Sequence, residues 1–157
     1  MSVESVRKLF SDAGLGELVL YSEVVSDTVE NAAAMIGCEP CQIAKTMSFL
    51  LGDVAIVIVA SGDAKIDNGK YKAEFGAKAK MIPYGEAEHY TGHLPGGICP
   101  FALKENVAVF LDESLKRFDV VYTGGGDEHN TVKVTIPQLE QYSCYQKWVD
   151  VCKNWND

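Results

Sequence analysis

Lys45 is the residue in this chain whose type fits its surroundings least. In QIAKTMSFLL a two-residue period places it on one strand face with Ile43, Met47, Phe49 and Leu51, all apolar. An ammonium on that face needs a partner or a route to water, and two arrangements supply one. The stem can lie on apolar surface while the head reaches solvent near the strand end. Alternatively the head projects into a polar pocket, where it binds an anion or polarises an ester carbonyl.

Two glycine-rich loops could complete such a pocket. TGHLPGGICPFAL holds Gly92, Gly96 and Gly97, with Pro95 and Pro100 bracketing the last pair. Backbone freedom inside rigid limits lets amide hydrogens come close to a ligand, and it equally suits a tight connection between core elements. The spacing is neither that of a phosphate-binding loop nor that of a dinucleotide fingerprint. YTGGGDEHNT offers Gly124, Gly125 and Gly126, then His129, Asn130 and Thr131. A hairpin or wide turn would use the same glycines, and His129 reads either as a base or substrate contact or as an idle solvent-exposed side chain.

Cys38 and Cys41 stand in a CxxC spacing, which serves redox chemistry or half of a zinc site. Here the pair follows a helix and precedes a strand, the reverse of the thioredoxin order. Cys99, Cys144, Cys152 and the histidines supply no regular second pair. No metal and no cofactor is therefore expected, and neither an HExxH nor a GxSxG motif is present.

The elements that must position these residues follow from periodicity. Val3, Val6, Leu9 and Phe10 predict a helix before Gly14, and a strand follows at 17–21. Asp27 and Glu30 form a capping-box pattern ahead of a helix ending at Gly37. Residues 42–51 and 54–60 predict a hairpin across Gly52 and Asp53, its second strand buried on both faces. Residues 67–91 read as mainly helical, interrupted at Pro83 and Gly85. Strands are expected at 107–111, 118–123 and 132–136. A closing helix from Pro137 is expected to carry Leu139, Tyr142, Val149 and Cys152 on one face, with Trp148 and Trp155 beside them.

The order of elements gives an α/β fold: one domain over residues 1–157, with a mixed, mainly antiparallel sheet, partly barrel-like, and peripheral helices. With 157 residues, 47% apolar and 23% charged, the chain has the composition of a globular protein with one core. Its longest strongly apolar run, Val54 to Ala60, is far below the roughly 20 residues of a bilayer span. The first residues lack the apolar stretch of a secretory signal, so no membrane partner and a cytoplasmic location are expected. Five cysteines, an odd number, favour reduced thiols.

The net charge of −8 argues against sequence-blind binding along a nucleic-acid backbone, though it permits a small contact with one RNA end. Residues 1–40 carry seven acids against two bases, whereas residues 65–80 carry five lysines. A phosphate contact would fall on the second segment, which also reads as a solvated face.

Taken together, the NAAAMIG helix, the QIAKTMSF strand, the VAIVIVASGD strand, the TGHLPGGICPF loop and GGGDEHNTVKVTIPQL resemble the YbaK and prolyl-tRNA-synthetase-associated (ProX-like) editing-domain family. The match runs through most of the chain and rests on the order and spacing of the pieces. The resemblance implies an aminoacyl-tRNA deacylase acting in trans on mischarged tRNA, without a required metal or covalent enzyme intermediate and with a small amino acid as its target. The implied partners are the aminoacyl-tRNA acceptor end and an aminoacyl-tRNA synthetase. A catalytically weak aminoacyl- or nucleotide-binding protein of the same fold is the alternative.

The family lysine falls on Lys45, and the small polar residue after it on Thr46. Gly92, Gly96, Gly97, Pro100 and Phe101 match the family's glycine-proline loop. Gly125, His129, Asn130 and Thr131 lie in the segment that completes the aminoacyl pocket, and Tyr21 lies where some members place a pocket aromatic. In this reading backbone amides of Gly97, Ile98 and Cys99 stabilise the oxyanion, and Lys45 holds the ribose or terminal phosphate. Members that deacylate cysteinyl-tRNA carry a serine, alanine and glycine run and an aspartate where this chain has GGG and Gln138.

Overall fold

A nine-residue strand and an eight-residue strand that fold back on each other organise the chain. In the computed structural model, which describes residues 2–23 and 28–155, β2 (Ile43–Leu51) and β3 (Val54–Ser61) form the expected hairpin, with Lys45 opposite Ala60. Gly52 turns the chain with φ +64°, a conformation that costs glycine little. β3 is covered on both faces. Val57 and Val59 pack into one apolar cluster, and Ile56, Ile58 and Ala60 pack into another. Its unbroken apolar sequence follows from that burial.

The hairpin sits inside a seven-stranded sheet of order β1-β7-β6-β2-β3-β5-β8, mixed, with three antiparallel and three parallel pairings and most of its paired residues antiparallel. Its other members are β1 (Val19–Tyr21), β5 (Ala108–Asp112), β6 (Val120–Gly124), β7 (Asn130–Thr135) and β8 (Lys147–Val149). β4 (Lys65–Ile66) and β9 (Cys152–Lys153) pair separately. Helices lie around the sheet: α1 (Ser2–Asp12), α2 (Val29–Ile36), α3 (Asn68–Phe75), α4 (Ala87–Thr91) and α5 (Ile136–Ser143). α1 buries Val6 and Phe10 completely in the first cluster, and the Phe10 ring meets Phe101 edge-on with centroids 5.0 Å apart. No helix among the described residues is long and apolar enough to cross a membrane.

Helix ends follow their local chemistry. Thr28 caps α2 by accepting from the Asn31 N–H, and Gly37 closes it in the left-handed region. Asp27, expected as this cap, lies outside the described residues. Thr135 and Gln138 form a reciprocal capping box at the start of α5. Gln138, one of the positions that departs from the cysteinyl-tRNA members, thus has a structural task.

The closing helix is shorter than its periodicity suggested. α5 stops at Ser143, and Cys144 turns into the left-handed region at φ 52°. Residues 147–149 then run as β8 beside β5, an arrangement in which Gln146 also donates to the Val109 carbonyl at 2.8 Å. The reason is tertiary. The free edge of β5 offers backbone partners to a β-prone KWV segment, and those bonds outweigh a weak helical stripe. Residues 67–91 are likewise only partly helical, since residues 80–82 run along β2 through Leu50 N–H to Lys80 O and Ile82 N–H to Ser48 O.

Candidate functional site

The sheet parts at β2, and the opening lies beside Lys45. Pairing of β2 with β6 is confined to Ile43 with Tyr122 and Ala44 with Thr123. The same edge of β2 is next used at Ser48 and Leu50, by residues 80–82. Between these contacts the strands diverge and leave a pocket of about 170 Å³. Its walls come from Lys45 and Thr46 on β2, from Tyr122, Thr123 and Gly124 on β6, from Pro95, Gly96 and Ile98, from Asp127 and Thr131, and from the start of α2.

The Lys45 ammonium is anchored at one side. It donates to the Ala64 carbonyl and, at 3.5 Å, to the Gly62 carbonyl. Burial lowers its pKa below the ordinary lysine value, against the opposing influence of Cys152 and Asp63. The turn that holds it is itself fixed from two sides. A Cβ at Gly62 would stand 2.1 Å from the Pro40 carbonyl oxygen, so only glycine permits this approach. Asp63 is gripped by both terminal nitrogens of Arg117, at 2.7 and 3.0 Å.

Arg117 also donates to Ser61 Oγ, the Ser114 carbonyl and the Trp155 carbonyl, so all five of its N–H groups are used. Burial alone would raise the Asp63 carboxyl, yet hydrogen bonds from Arg117 and Ser61 bring it below its usual value. Arg117 and Asp63 carried no sequence signal. Their meaning depends on a contact between residues 54 positions apart.

The two glycine loops close against each other. Gly126 N–H donates to Gly97 O at 3.0 Å, and a Cβ on Gly97 would lie 2.1 Å from Asp127 N and 2.2 Å from Gly126 C. A Cβ on Gly125 would lie 2.9 Å from the Asn130 backbone. Among Gly97, Ile98 and Cys99, the Gly97 N–H is already donated to Leu94 O at 2.9 Å. Of these three, Ile98 lines the pocket. The Thr46 hydroxyl is buried with no hydrogen-bond partner among the described residues. Thr123 and Thr131, both nearly fully buried, add hydroxyl side chains to the same wall.

The structure thus brings Lys45, Thr46, Gly96, Ile98 and Thr131 around one pocket. Of the other expected residues, Gly97 and His129 line an adjoining cavity that shares Pro95, Gly96 and Asp127 with this pocket. Gly92 caps α4 at φ 91°, Pro100 faces a separate groove, and Phe101 is core. Gly97 and Gly125 act through close backbone approach. Tyr21 is exposed and stacks on His129 at 6.0 Å, beside the pocket. His129 Nδ1 meets the Ser22 carbonyl at 3.0 Å. Asn130 accepts from Arg7 on α1 and donates to Asp127 Oδ1 at 2.7 Å.

Asp127 was missed as a separate candidate. Its signal is its place between the glycine run and Asn130-Thr131, where Glu128 competes for the role. Cys38 and Cys41 are partly buried free thiols, and among the described residues no group of three or more potential metal ligands is assembled.

Cys99 belongs to a buried polar unit behind the loop. His93, fully buried, places Nε2 2.6 Å from the Phe101 carbonyl, and Cys99 Sγ lies 3.6 Å from both groups. A carbonyl only accepts, so Nε2 carries the proton, and Nδ1 is left buried without a partner among the described residues. Burial lowers the His93 pKa and pushes the Cys99 thiol up to about 12.

Protonation therefore opposes folding at His93. Below the ordinary histidine value of about 6.5 the unfolded chain binds the proton first, so stability is complete above that value and is lost as pH falls toward the lowered one. Urea titrations between about pH 7 and pH 5 are expected to show this slope in wild type and a shallower one in His93→Gln. Equal slopes would remove His93 as its source.

Comparison with known proteins identifies the family. A family model described as the aminoacyl-tRNA editing domain matches residues 24–142. The uncharacterized protein YwhH of Bacillus subtilis (strain 168) is 44% identical over 156 residues, covering 99% of both chains. A proline–tRNA ligase of Limosilactobacillus fermentum is 28% identical over 118 residues, which span 71% of this chain and 21% of the ligase. A solved structure described as a candidate trans-editing enzyme for prolyl tRNA synthetase superposes with a TM-score of 0.85 at 25% identity, covering 97% of each chain. The family match spans β2, both glycine loops and most of α5, and on that evidence the chain belongs to the aminoacyl-tRNA editing domain family.

Proposed function

We propose that the protein is a trans-acting, cytoplasmic aminoacyl-tRNA deacylase that hydrolyses the ester of a mischarged tRNA carrying a small amino acid. The observation that carries this reading is the convergence of Lys45 and Thr46 with Ile98 and with Asp127 and Thr131 on one pocket. Family membership and the likeness to a trans-editing structure support the reaction class. The expected partner is the aminoacyl-tRNA acceptor end, with a synthetase as a second, in keeping with the ligase domain that the chain resembles.

The pocket's size favours a small side chain. About 170 Å³ is close to the roughly 150 Å³ of a cavity that holds benzene, and the scissile ester must share that space. In the reaction a water oxygen bonds to the ester carbonyl carbon. The bond from that carbon to the ribose oxygen breaks, the ribose oxygen takes one of the water's two protons, the other passes to solvent, and the amino acid leaves as its carboxylate.

An aminoacyl ester is already activated, so placement supplies much of the rate without a side-chain nucleophile. The Ile98 N–H supports the developing oxyanion. Lys45 holds the ribose or terminal phosphate side, and the threonine hydroxyls orient ribose and water.

The test is a deacylation panel of alanyl, seryl, cysteinyl, threonyl, leucyl and phenylalanyl esters on otherwise identical tRNA. At least one of the four smaller groups is expected to be removed at least tenfold faster than leucyl or phenylalanyl. Faster removal of a large group would defeat the small pocket. An unchanged half-life for every ester, despite saturable binding, would replace the enzyme with a binding protein of the same fold.

A further inference from the structure

We infer that Asp127 selects substrates by their free α-ammonium group, so that the pocket accepts aminoacyl esters and rejects those whose nitrogen is acylated, such as formylaminoacyl- or peptidyl-tRNA. The inference rests on the deacylase reading of the same pocket and adds a residue and a substrate class to it.

Among the described residues, Lys45 and Asp127 are the charged members of the pocket lining. They do not neutralise each other, because the Lys45 ammonium is held by the carbonyls of Gly62 and Ala64. Among the described residues no lysine or arginine pairs with Asp127. Its carboxylate is nevertheless held in place. Oδ1 accepts from the His129 N–H at 2.9 Å and from Asn130 Nδ2 at 2.7 Å.

The direction of the Asn130 amide is set in turn by Arg7, which occupies Asn130 Oδ1 and leaves only the NH₂ group to face Asp127. The chain Arg7–Asn130–Asp127 therefore links α1 to the pocket wall, and Oδ2 has no partner among the described residues.

A half-buried carboxylate with one oxygen fixed and one free is an acceptor for a cation that arrives with the ligand. In an aminoacyl ester the α-ammonium sits on the carbon next to the scissile carbonyl, so it enters the same pocket as the reacting bond. Acylation of that nitrogen removes the charge, leaves a single N–H donor and adds bulk. The neutral nitrogen then desolvates Asp127 without replacing its ionic hydrogen bonds, a difference that discriminates more strongly than one methylene. A hydrolase that works in trans on charged tRNA gains from this filter, since it leaves initiator and elongating tRNAs intact.

Three stable amide analogues provide the test: 3′-alanylamino-3′-deoxyadenosine, its propionyl counterpart lacking the amino group, and its N-acetylalanyl counterpart. Calorimetry with the full chain is expected to show the alanyl compound binding at least tenfold more tightly than either other one. Asp127→Asn keeps an oxygen for His129 and Asn130 and is expected to bring the ratio close to one, as is Asp127→Ser if the asparagine variant does not fold.

Equal affinities in wild type, no binding of the alanyl compound, or a ratio that survives both substitutions would each overturn the assignment. The deacylation panel separates this from the broader reading. Esters hydrolysed with no ammonium preference would defeat the Asp127 role alone. Ammonium preference without hydrolysis of any ester would defeat the deacylase reading and leave the binding site standing.

Discussion

Lys45→Ala is expected to lower kcat/KM for the preferred aminoacyl-tRNA by about a hundredfold or more, the equivalent of roughly 2.7 to 4 kcal/mol of transition-state stabilisation. The substitution removes a cation from the wall of a small pocket while leaving the strand's pairing to Ala60 in place. A smaller effect on folding accompanies it. The carbonyls of Ala64 and Gly62 lose their ammonium donor, at a cost of about 1 to 3 kcal/mol if water does not replace it.

Lys45→Met separates the two contributions, because it keeps an apolar stem and loses the same charge and donor. Both variants are expected to fold, to melt a few degrees lower and to lose activity alike. Steady-state deacylation paired with thermal melts reads this directly. Near-wild-type turnover in either folded variant would take Lys45 out of the reaction.

The second large effect is expected at Gly97, for a reason unrelated to backbone torsion. Its hypothetical Cβ meets backbone atoms of Gly126 and Asp127 at 2.1 to 2.4 Å, and backbone cannot move aside by changing rotamer. Gly97→Ala must push the two glycine loops apart and stretch the bond from Gly126 N–H to Gly97 O. Overpacking of this kind costs about 1 to 3 kcal/mol of stability.

The catalytic loss is expected to be larger in proportion, because displacement of about 1 Å at a positioned site costs on the order of a hundredfold. Gly97→Val should be worse than Gly97→Ala. Gly85→Ala is the control, since a Cβ there meets nothing within 4 Å. Deacylation rates and melting curves for the three variants check the prediction. Full activity in Gly97→Ala would mean that the loop contact does not shape the site.

Much of the positioning scaffold was legible locally. Alternation along β2 singled out Lys45, continuous apolarity marked β3 as buried on both faces, and Gly52 marked the turn between them. These signals survive because each depends on residues a few positions apart, where the two-residue period and turn chemistry act directly. The glycine loops were also visible, and Gly97 and Gly125 have the close approach that glycine permits.

The sequence misled where a local preference competed with a distant partner. Leu139 and Tyr142 carry a helical stripe, but residues beyond Cys144 meet the open edge of β5 and become strand. His129, an obvious candidate from its type, rests against the Ser22 carbonyl and Tyr21 beside the pocket. His93, embedded in the glycine-proline loop, proved to be the fully buried histidine, linked to the Phe101 carbonyl.

The elements around Lys45, the glycines of the two loops and the family to which their order belongs were all readable from the residues alone. Tertiary structure alone decided that β2 leaves β6 after Ala44, so that a pocket opens beside the lysine. It also decided which carbonyls hold the ammonium, and that Arg7, on an element more than a hundred residues away, fixes Asn130 and through it Asp127. The physical reason is the range of the forces involved. Periodicity and turn preference act between neighbours along the chain, whereas a charge acquires its role from the donors and acceptors that folding brings within about 3 Å of it.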